Sequence, residues 1–286
     1  MRAACNFIGG GAGSSLLVWA SLGLIAGLPY VEAALTGLML VASGLLMVWL
    51  ETGKPWRAFN LFFRPQTSWM TREGIVALPL FAVGALAVLS ATDLALLPQA
   101  MSPVIPAILT ATFALTFLYC QLQILHAARS LPAWREPWAM PLLGLSGLTE
   151  GLGLYLLVTA ILGTVPMVFV AVAAVMIIAR AFAWRAYLAA LTRRGAPEPT
   201  LAALLSIRAG FLIAGHAVPV LLLVCAYIWP HLAGPFAALA GITSALAGWY
   251  LKIVLITRAA YIPKVAIQAP PVRGRRELCS NSRTTS

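Results

Sequence analysis

Several ionisable side chains lie inside or at the ends of long apolar segments of this 286-residue chain. They are Glu51, Glu73, His126, Glu150, Arg208 and Lys252. An ionisable group in a membrane-embedded segment is costly and usually marks a substrate, ion or proton site. Gathered at one end of a helical bundle, these groups would form a half-buried polar pocket. Alternatively, Glu150 could pair with Arg208 or Lys252 merely to hold helices together. Both interpretations stay open for Glu51, Glu73 and Glu150.

The composition places these apolar segments in a membrane. Hydrophobic residues make up 61% of the chain and charged residues only 9%, whereas soluble domains carry about 25% charged residues. A spanning helix needs about 20 apolar residues, so the chain has room for roughly eight spans. The N-terminal segment lacks the small-residue cleavage site of a signal peptide, so we expect the first span to be retained.

We predict an all-α integral membrane protein, a bundle of eight transmembrane helices with both termini on the same side. The predicted spans cover residues 13–30, 34–50, 75–97, 104–127, 138–162, 166–191, 200–229 and 235–258. They form one transmembrane domain, 1–262, which is followed by a polar C-terminal tail, 263–286. The sequence shows no internal repeat.

The basic residues fall on one side of this predicted topology. If the N-terminus is assigned to a side A, all 19 Lys and Arg residues lie in side-A loops, in the tails or in the side-A parts of helices. Because Lys and Arg in short loops are retained in the cytoplasm, side A is predicted to be cytoplasmic. Arg180, Arg185 and Arg258 are expected to snorkel to this interface. The positive charge therefore requires no nucleic-acid partner.

The cysteines and histidines argue against a metal centre in this chain. The residues concerned are Cys5, Cys120, Cys225, Cys279, His126, His216 and His231. Iron–sulfur clusters and structural zinc need clustered thiolates, which this spacing does not provide. A haem between helices needs two histidines at similar depth, and no pair matches. We therefore predict no metal, haem or iron–sulfur cluster here, and a helix-to-helix hydrogen bond for His216.

A glycine-rich run near the N-terminus bears only a superficial likeness to a phosphate-binding loop. It contains Gly9, Gly10, Gly11 and Gly13 but no following Lys-Ser or Lys-Thr pair and no preceding strand. Small residues at the start of a membrane helix are more typical of close helix packing. The sequence also lacks hydrolase signatures.

The loop between the second and third predicted spans is long, aromatic and basic. It reads ETGKPWRAFNLFFRPQTSWMTREG over residues 51–74. A second side-A loop, RSLPAWREP at 129–137, has the same character. Trp at the headgroup level is an ordinary interfacial anchor, but prolines beside aromatic and basic residues make a stiff surface that suits protein docking.

GKPWRAFN and SWMTREG in the first loop resemble the dimethyl sulfoxide reductase anchor-subunit family, which includes polysulfide reductase and formate-dependent nitrite reductase membrane subunits. LPAWREPW at 131–138 and WYLKIVLITRAAYIPKVAIQAPPVRG at 249–274 agree with it. The resemblance, which covers nearly the whole chain, implies a haem-free anchor for a membrane quinone, either menaquinone or ubiquinone. It also implies a four-cluster iron–sulfur subunit as partner and, through that subunit, a molybdopterin catalytic subunit.

The resemblance extends to individual residues. Arg57 corresponds to the family's arginine and Glu73 to the glutamate that closes the motif. Glu51 stands where the dimethyl sulfoxide enzyme's anchor has a histidine tied to quinol binding, and a carboxylate there could still bind a quinone oxygen or carry its proton. His126 and Glu150 are further candidates for lining the pocket or its proton path. The expected docking surface comprises Arg64, Trp69, Arg72, Arg129, Trp134 and Arg135.

The expected location is the bacterial cytoplasmic (inner) membrane, with the basic face in the cytoplasm. This predicted orientation resembles that of family members with cytoplasmic catalytic subunits, such as phenylacetyl-CoA:acceptor or sulfite oxidoreductases. Of these two we favour the former. Two alternatives remain. One is a secondary transporter with Glu150, Arg208 and Lys252 at its substrate site, although transporters usually show repeats and broken helices, of which the sequence gives no sign. The other is a proton-translocating relative in which Glu150 relays protons.

Overall fold

The computed structural model describes residues 1–51, 65–92, 102–128 and 130–260. Eight segments in these ranges are helical, long and apolar enough to cross a membrane, which confirms the predicted fold class. In chain order the helices are α1 (Arg2–Ile25), α2 (Val31–Glu51), α3 (Trp69–Ala91), α4 (Val104–His126), α5 (Pro132–Arg135), α6 (Ala139–Ile161), α7 (Met167–Arg193), α8 (Glu198–Ser206), α9 (Arg208–Leu212), α10 (Val218–Ile228) and α11 (Ala233–Thr257). The predicted tail, 263–286, lies outside the described residues, so the domain boundary and the side of the C-terminus stay predictions.

Neighbouring helices run in alternating directions, as the contacts of α1 show. Gly9 of α1 lies against Gly44 of α2, whereas Gly13 lies against Gly37, so these two helices are antiparallel. The start of α1 therefore shares one end of the bundle with the end of α2, the start of α3 and the ends of α4, α7 and α11. This end is the predicted side A, and the name is kept for it below.

The first helix begins eleven residues before the predicted span of 13–30, which is a correction to the sequence analysis. The glycine run does not interrupt it: Gly9 and Gly13 meet the backbone of α2, and Gly10 and Gly11 meet side chains of other helices. A Cβ on Gly9 would lie 2.6 Å from the Leu40 carbonyl oxygen, and one on Gly13 would lie 2.6 Å from that of Gly37. The expected close packing is thus confirmed. Most of α1 is buried, since α2, α4, α6 and α11 all contact it.

A second close approach joins α6 to α11. A Cβ on Gly153 would lie 2.7 Å from the carbonyl oxygen of Gly241. Lipid tails are as apolar as the side chains, so little hydrophobic driving force holds membrane helices together. Close backbone packing of this kind supplies the missing attraction through dispersion contacts.

The seventh span is not the uninterrupted helix predicted over 200–229. It divides into α8, α9 and α10, and a π turn, Ile213–Ala217, separates the last two. A π turn widens the helix by one residue, and such turns occur frequently at functional sites. The sequence signals are weak and consist of Gly210, Gly215 and Pro219 within this segment.

We expect Gly153→Ala to destabilise the bundle by about 1–3 kcal/mol, since its methyl group meets backbone that cannot move aside as a side chain can. The measurement is the melting temperature of the purified protein in detergent. Gly144→Ala is the control, because its Cβ would meet only the end of the Leu122 side chain at 3.3 Å. Equal melting temperatures for the two variants would contradict the packing argument.

Candidate functional site

Glu73 lies four residues into α3, on the face that the helix buries. The helix begins at Trp69 because Ser68 caps it, with its hydroxyl accepting from the Thr71 backbone N–H at 3.3 Å. From there the buried positions Glu73, Ala77 and Leu80 recur at helical spacing. The same register that buries the apolar stripe therefore buries the carboxylate, which is 4% exposed.

Two amide side chains surround this carboxylate. Glu73 lies beside Asn6 of α1 and Gln121 of α4, both of which are buried. Gln121 Nε2 donates to the Asn6 carbonyl oxygen at 3.2 Å and so ties the two helices together. Glu73 Oε1 and Asn6 Oδ1 are buried without a hydrogen-bond partner among the described residues. Buried acceptors of this kind are uncommon and call for a donor.

Deeper in the bundle, Glu150 and Lys252 form a buried ion pair. Lys252 Nζ lies 2.7 Å from Glu150 Oε2 and also donates to the Phe7 carbonyl oxygen at 3.1 Å. The two side chains are 0% and 3% exposed. Glu150 thus takes one of the two partners considered from the sequence, whereas Arg208 is exposed. The Trp249 indole also lies near Glu150 but without hydrogen-bonding geometry.

Glycines of α1 and α11 make the room that these polar side chains occupy. A Cβ on Gly10 would collide with the Gln121 amide, and one on Gly248 would collide with the Glu150 carboxylate. A Cβ on Gly11 would lie 2.7 Å from Lys252 Nζ. Between Gln121 and Lys252 remains a narrow cleft, with space for about one water molecule. The two polar clusters are therefore neighbours across this cleft.

Arg180 does not snorkel to the interface, contrary to the expectation from the sequence. It lies in the middle of α7 with its side chain fully buried. Its guanidinium donates to the Gly215 carbonyl oxygen at 2.6 Å, to the Ser244 carbonyl and hydroxyl oxygens at 3.1 and 3.0 Å, and to His216 Nε2 at 3.3 Å. The planar fork of an arginine suits this many acceptors. The helix-to-helix hydrogen bond predicted for His216 is confirmed.

The other predicted quinone-site residues are more scattered. Glu51 ends α2 and is exposed, so it does not lie in the buried cluster. His126 ends α4, and its Nδ1 is buried without a partner among the described residues. Arg57 lies outside the described residues. Of the predicted set, Glu73 and Glu150 are thus the members that the structure places in the polar interior.

The predicted docking residues have structural partners of their own. Arg72 stacks on the Trp69 ring, 4.1 Å from its centroid, and donates to the carbonyl oxygens of Pro65 and Gln66 at 2.8 and 3.0 Å. Trp134 donates its indole N–H to the Leu255 carbonyl oxygen at 3.1 Å and so ties α5 to α11. Arg64 and Arg129 lie outside the described residues.

Arg135 lines an open cleft of about 410 Å³ at side A. Pro132, Leu191 and Pro197 line the same cleft. On one wall Arg194 pairs with the buried Glu136, Nε to Oε2, at 3.2 Å. Since Arg135 is exposed here, it is available to an acidic group at the membrane surface.

Asn6 and Gln121 were missed from the sequence, because uncharged amide side chains were not considered there. The sequence nevertheless contains a signal for Gln121, which shares the buried and mostly apolar helical stripe of Ala114 and Phe117. An amide on such a stripe must find a partner inside the bundle. Arg180 could have been recognised in the same way, from its place at the centre of an apolar segment.

Across the described ranges, no three or more His, Cys, Asp and Glu side chains gather as a metal site would require.

The chain matches the family of the DMSO reductase anchor subunit (DmsC) over residues 29–255. The chain belongs to this family. No individual curated protein matches the chain significantly, so the family match is the basis of this assignment. The matched residues include α2 to α10 and nearly all of α11, which agrees with a multi-pass membrane anchor subunit of a reductase complex that is not itself catalytic.

We expect Arg180→Lys to destabilise the DmsC-family protein by about 1–3 kcal/mol. One ammonium group has three donors on a single nitrogen and cannot match the four acceptors that the planar guanidinium reaches, so it leaves at least one of them without this donor. The measurement is thermal melting in detergent. Arg185→Lys on the exposed face of the same helix is the control and should melt as the wild type does. An unchanged melting temperature for Arg180→Lys would refute the role given to this side chain.

Proposed function

We propose that this chain exchanges electrons and protons with a membrane quinone at the cluster of Asn6, Glu73 and Gln121. The observation that supports this most is the pair of buried acceptors, Glu73 Oε1 and Asn6 Oδ1, without partners among the described residues. They lie near side A, where the resemblance implies an iron–sulfur subunit. A binding site for a neutral, mostly apolar ring needs few polar groups of this kind.

The chemistry of these acceptors fits a quinol. A quinol carries two hydroxyl groups, each of which donates one hydrogen bond, and it supplies two electrons and two protons when it is oxidised. Glu73 Oε1 and Asn6 Oδ1 accept such bonds, and the Gln121 amide adds a donor beside them. Menaquinol and ubiquinol share this pattern, so these residues suit either.

In this proposal Glu73 accepts a proton when a quinol is oxidised and, once protonated, donates it when a quinone is reduced. A carboxylate within hydrogen-bond distance of a hydroxyl group takes its proton directly, which is general base catalysis. Glu51, exposed at the end of α2, would pass the proton to solvent at side A. Arg57 would orient a carboxylate or hold a ring oxygen, while His126 and Glu150 would line the pocket or its proton path.

Side A is the proposed docking face for the iron–sulfur subunit and, through it, a molybdopterin catalytic subunit. The stacked pair of Trp69 and Arg72 and the exposed Arg135 support this role, because aromatic and Arg side chains are enriched at protein interfaces. Arg64, Arg129 and Trp134 complete the proposed surface. We place this face in the cytoplasm of a bacterium, at the inner membrane, on the charge asymmetry of the sequence.

We propose the substrate of the catalytic subunit from the predicted cytoplasmic location of that subunit. Family members with cytoplasmic catalytic subunits include phenylacetyl-CoA:acceptor and sulfite oxidoreductases, and we favour the former. Mass spectrometry of the subunits that copurify with this chain tests the choice, since the substrate is selected in another polypeptide.

One observation favours a transporter as a second candidate. The π turn beside the buried Arg180 is a helix irregularity of the kind that transporters use near their substrate sites. The chain purified alone, in a monodisperse form, would support this candidate, whereas copurification with two redox subunits supports the anchor.

A proton-translocating relative finds less support in the end of the bundle opposite side A. There Tyr30 lies beside Ser21 and Thr110, and burial raises the pKa of the Tyr30 phenol to about 12. A phenol is protonated near neutral pH even at its ordinary pKa, and the raised pKa makes Tyr30 still less able to release a proton from a relay that starts at Glu150.

We expect Glu73→Gln to slow, by about 100-fold, the rate at which added menaquinol or ubiquinol reduces the iron–sulfur clusters of the purified complex. The amide keeps the shape of the carboxyl group but cannot accept a proton. Cluster reduction is followed by absorbance, so the catalytic substrate need not be known. Glu51→Gln should slow it as well, whereas Glu198→Gln, exposed at side A, is the control. An unaltered rate of cluster reduction in an assembled Glu73→Gln complex would refute the role of Glu73.

We expect Arg72→Glu to release the soluble subunits from membranes, because it reverses a charge on the proposed docking surface. The measurement is the share of iron–sulfur subunit that sediments with membranes after a moderate salt wash. Arg193→Glu, exposed at the end of α7, is the matched control. Retention of the subunit by the Arg72→Glu membranes would show that docking occurs elsewhere.

A further inference from the structure

Lys252 is a buried cation to which the proposed quinone chemistry assigns no role. It projects from α11, the last span, and reaches two other helices at once. Its Nζ donates to Glu150 Oε2 of α6 at 2.7 Å and to the Phe7 carbonyl oxygen of α1 at 3.1 Å. A charge this deeply buried is costly, and the ion pair alone does not account for the second bond.

The bond to Phe7 fixes the first turns of α1. Near the start of a helix a carbonyl oxygen normally accepts only from the N–H four residues on, and it retains a second lone pair. Lys252 uses that acceptor capacity and so sets the depth and rotation of α1 against α11. Asn6 is the adjacent residue, and its own carbonyl oxygen accepts from Gln121.

Two bonds therefore hold adjacent peptide units of α1, one from α4 and one from α11. Lys252 holds Phe7, and Gln121 holds Asn6, with Gly10 and Gly11 making room for both side chains. With the first turns of α1 held in this way, the Asn6 side chain lies beside Glu73.

We propose that Lys252, oriented by Glu150, is a positioning residue for quinol binding. It holds the first turns of α1 so that the Asn6 amide and the Glu73 carboxylate face the same ring. This inference rests on the proposed quinone function and adds to it a residue 245 positions along the chain from the segment that it holds.

The inference predicts an effect on quinol affinity more than on the limiting rate. Lys252→Met keeps most of the length of the side chain but removes both bonds. Loss of one well-placed hydrogen bond to a ligand weakens binding by about 10-fold, so we expect the quinol concentration for half-maximal cluster reduction to rise by about 10-fold. The limiting rate should stay within about 2-fold of wild type, because Glu73 still accepts the proton.

A charge swap separates this role from simple stabilisation. In the double variant Glu150→Lys/Lys252→Glu the ion pair can form again, but the carboxylate on α11 cannot donate to the Phe7 carbonyl oxygen. We expect this variant to recover most of the melting temperature lost in Lys252→Met yet to keep the raised half-saturating concentration. A swap that restores wild-type quinol affinity would overturn the positioning role.

If Lys252→Met fails to assemble, a second variant that keeps every charge tests the same inference. Gly11→Ala leaves every charge in place but puts a methyl group 2.7 Å from Nζ, which must push the ammonium away from α1. It should raise the half-saturating concentration in the same direction, whereas Gly144→Ala, with only the Leu122 side chain nearby, should not. Wild-type quinol affinity in Gly11→Ala would overturn the inference.

The failure of this inference differs from failure of the proposed function. A wild-type complex whose iron–sulfur clusters no quinol reduces would refute the quinone function itself. A wild-type complex that responds to quinol, together with Lys252→Met or Gly11→Ala variants of unchanged affinity, would refute only the role of Lys252.

Discussion

The close packing of α1 is the constraint on which the rest of the bundle depends. Four other spans contact this helix, and its glycines lie at several of the points where their backbones or polar side chains approach. Because the surrounding lipid gives membrane helices little hydrophobic reason to associate, contacts of this closeness have to hold them. The same glycines decide where polar groups can enter. Gly10 and Gly11 leave room for Gln121 and Lys252, so the packing of the bundle and the formation of its polar interior have one origin in the sequence.

The buried ionisable side chains of the bundle also balance one another in charge. The buried ionisable groups on the described helices include the carboxylates of Glu73 and Glu150 and the cations of Lys252 and Arg180. When both carboxylates are ionised, these four charges sum to zero. A proton that arrives at Glu73 leaves one positive charge in excess within a medium of low dielectric constant, where uncompensated charge is expensive. Proton transfer at the proposed quinone site therefore changes the electrostatic potential at Glu150, Lys252 and Arg180.

The sequence predicts much of the fold because long apolar segments in a membrane have few alternatives to a helix. The eight spans and the burial of Glu150 followed from hydropathy and from the cost of intramembrane charge. The errors arose where side-chain type alone misleads. Arg180 was expected to snorkel, but its fork is matched by acceptors on two other helices, which only the folded structure brings together. Asn6 and Gln121 carry no charge, and their importance comes from a carboxylate on a third helix. The start of α1 was placed too late because the prediction followed hydropathy, which is low in the glycines and polar residues before residue 13, whereas close packing against other helices stabilises the helix there.

The π turn, Ile213–Ala217, has a consequence for how the length of the seventh span can vary. An α-helix advances about 100° per residue, and the π turn holds one residue more than a regular turn would. Deletion of a single residue here would restore a continuous α-helix with little rotation of the segments on either side, because the wider turn already absorbs the extra residue. The deletion would instead remove the turn in which the Gly215 carbonyl oxygen and His216 Nε2 accept from Arg180. Relatives that keep the buried arginine should therefore keep the extra residue of this segment, even where its side chains differ.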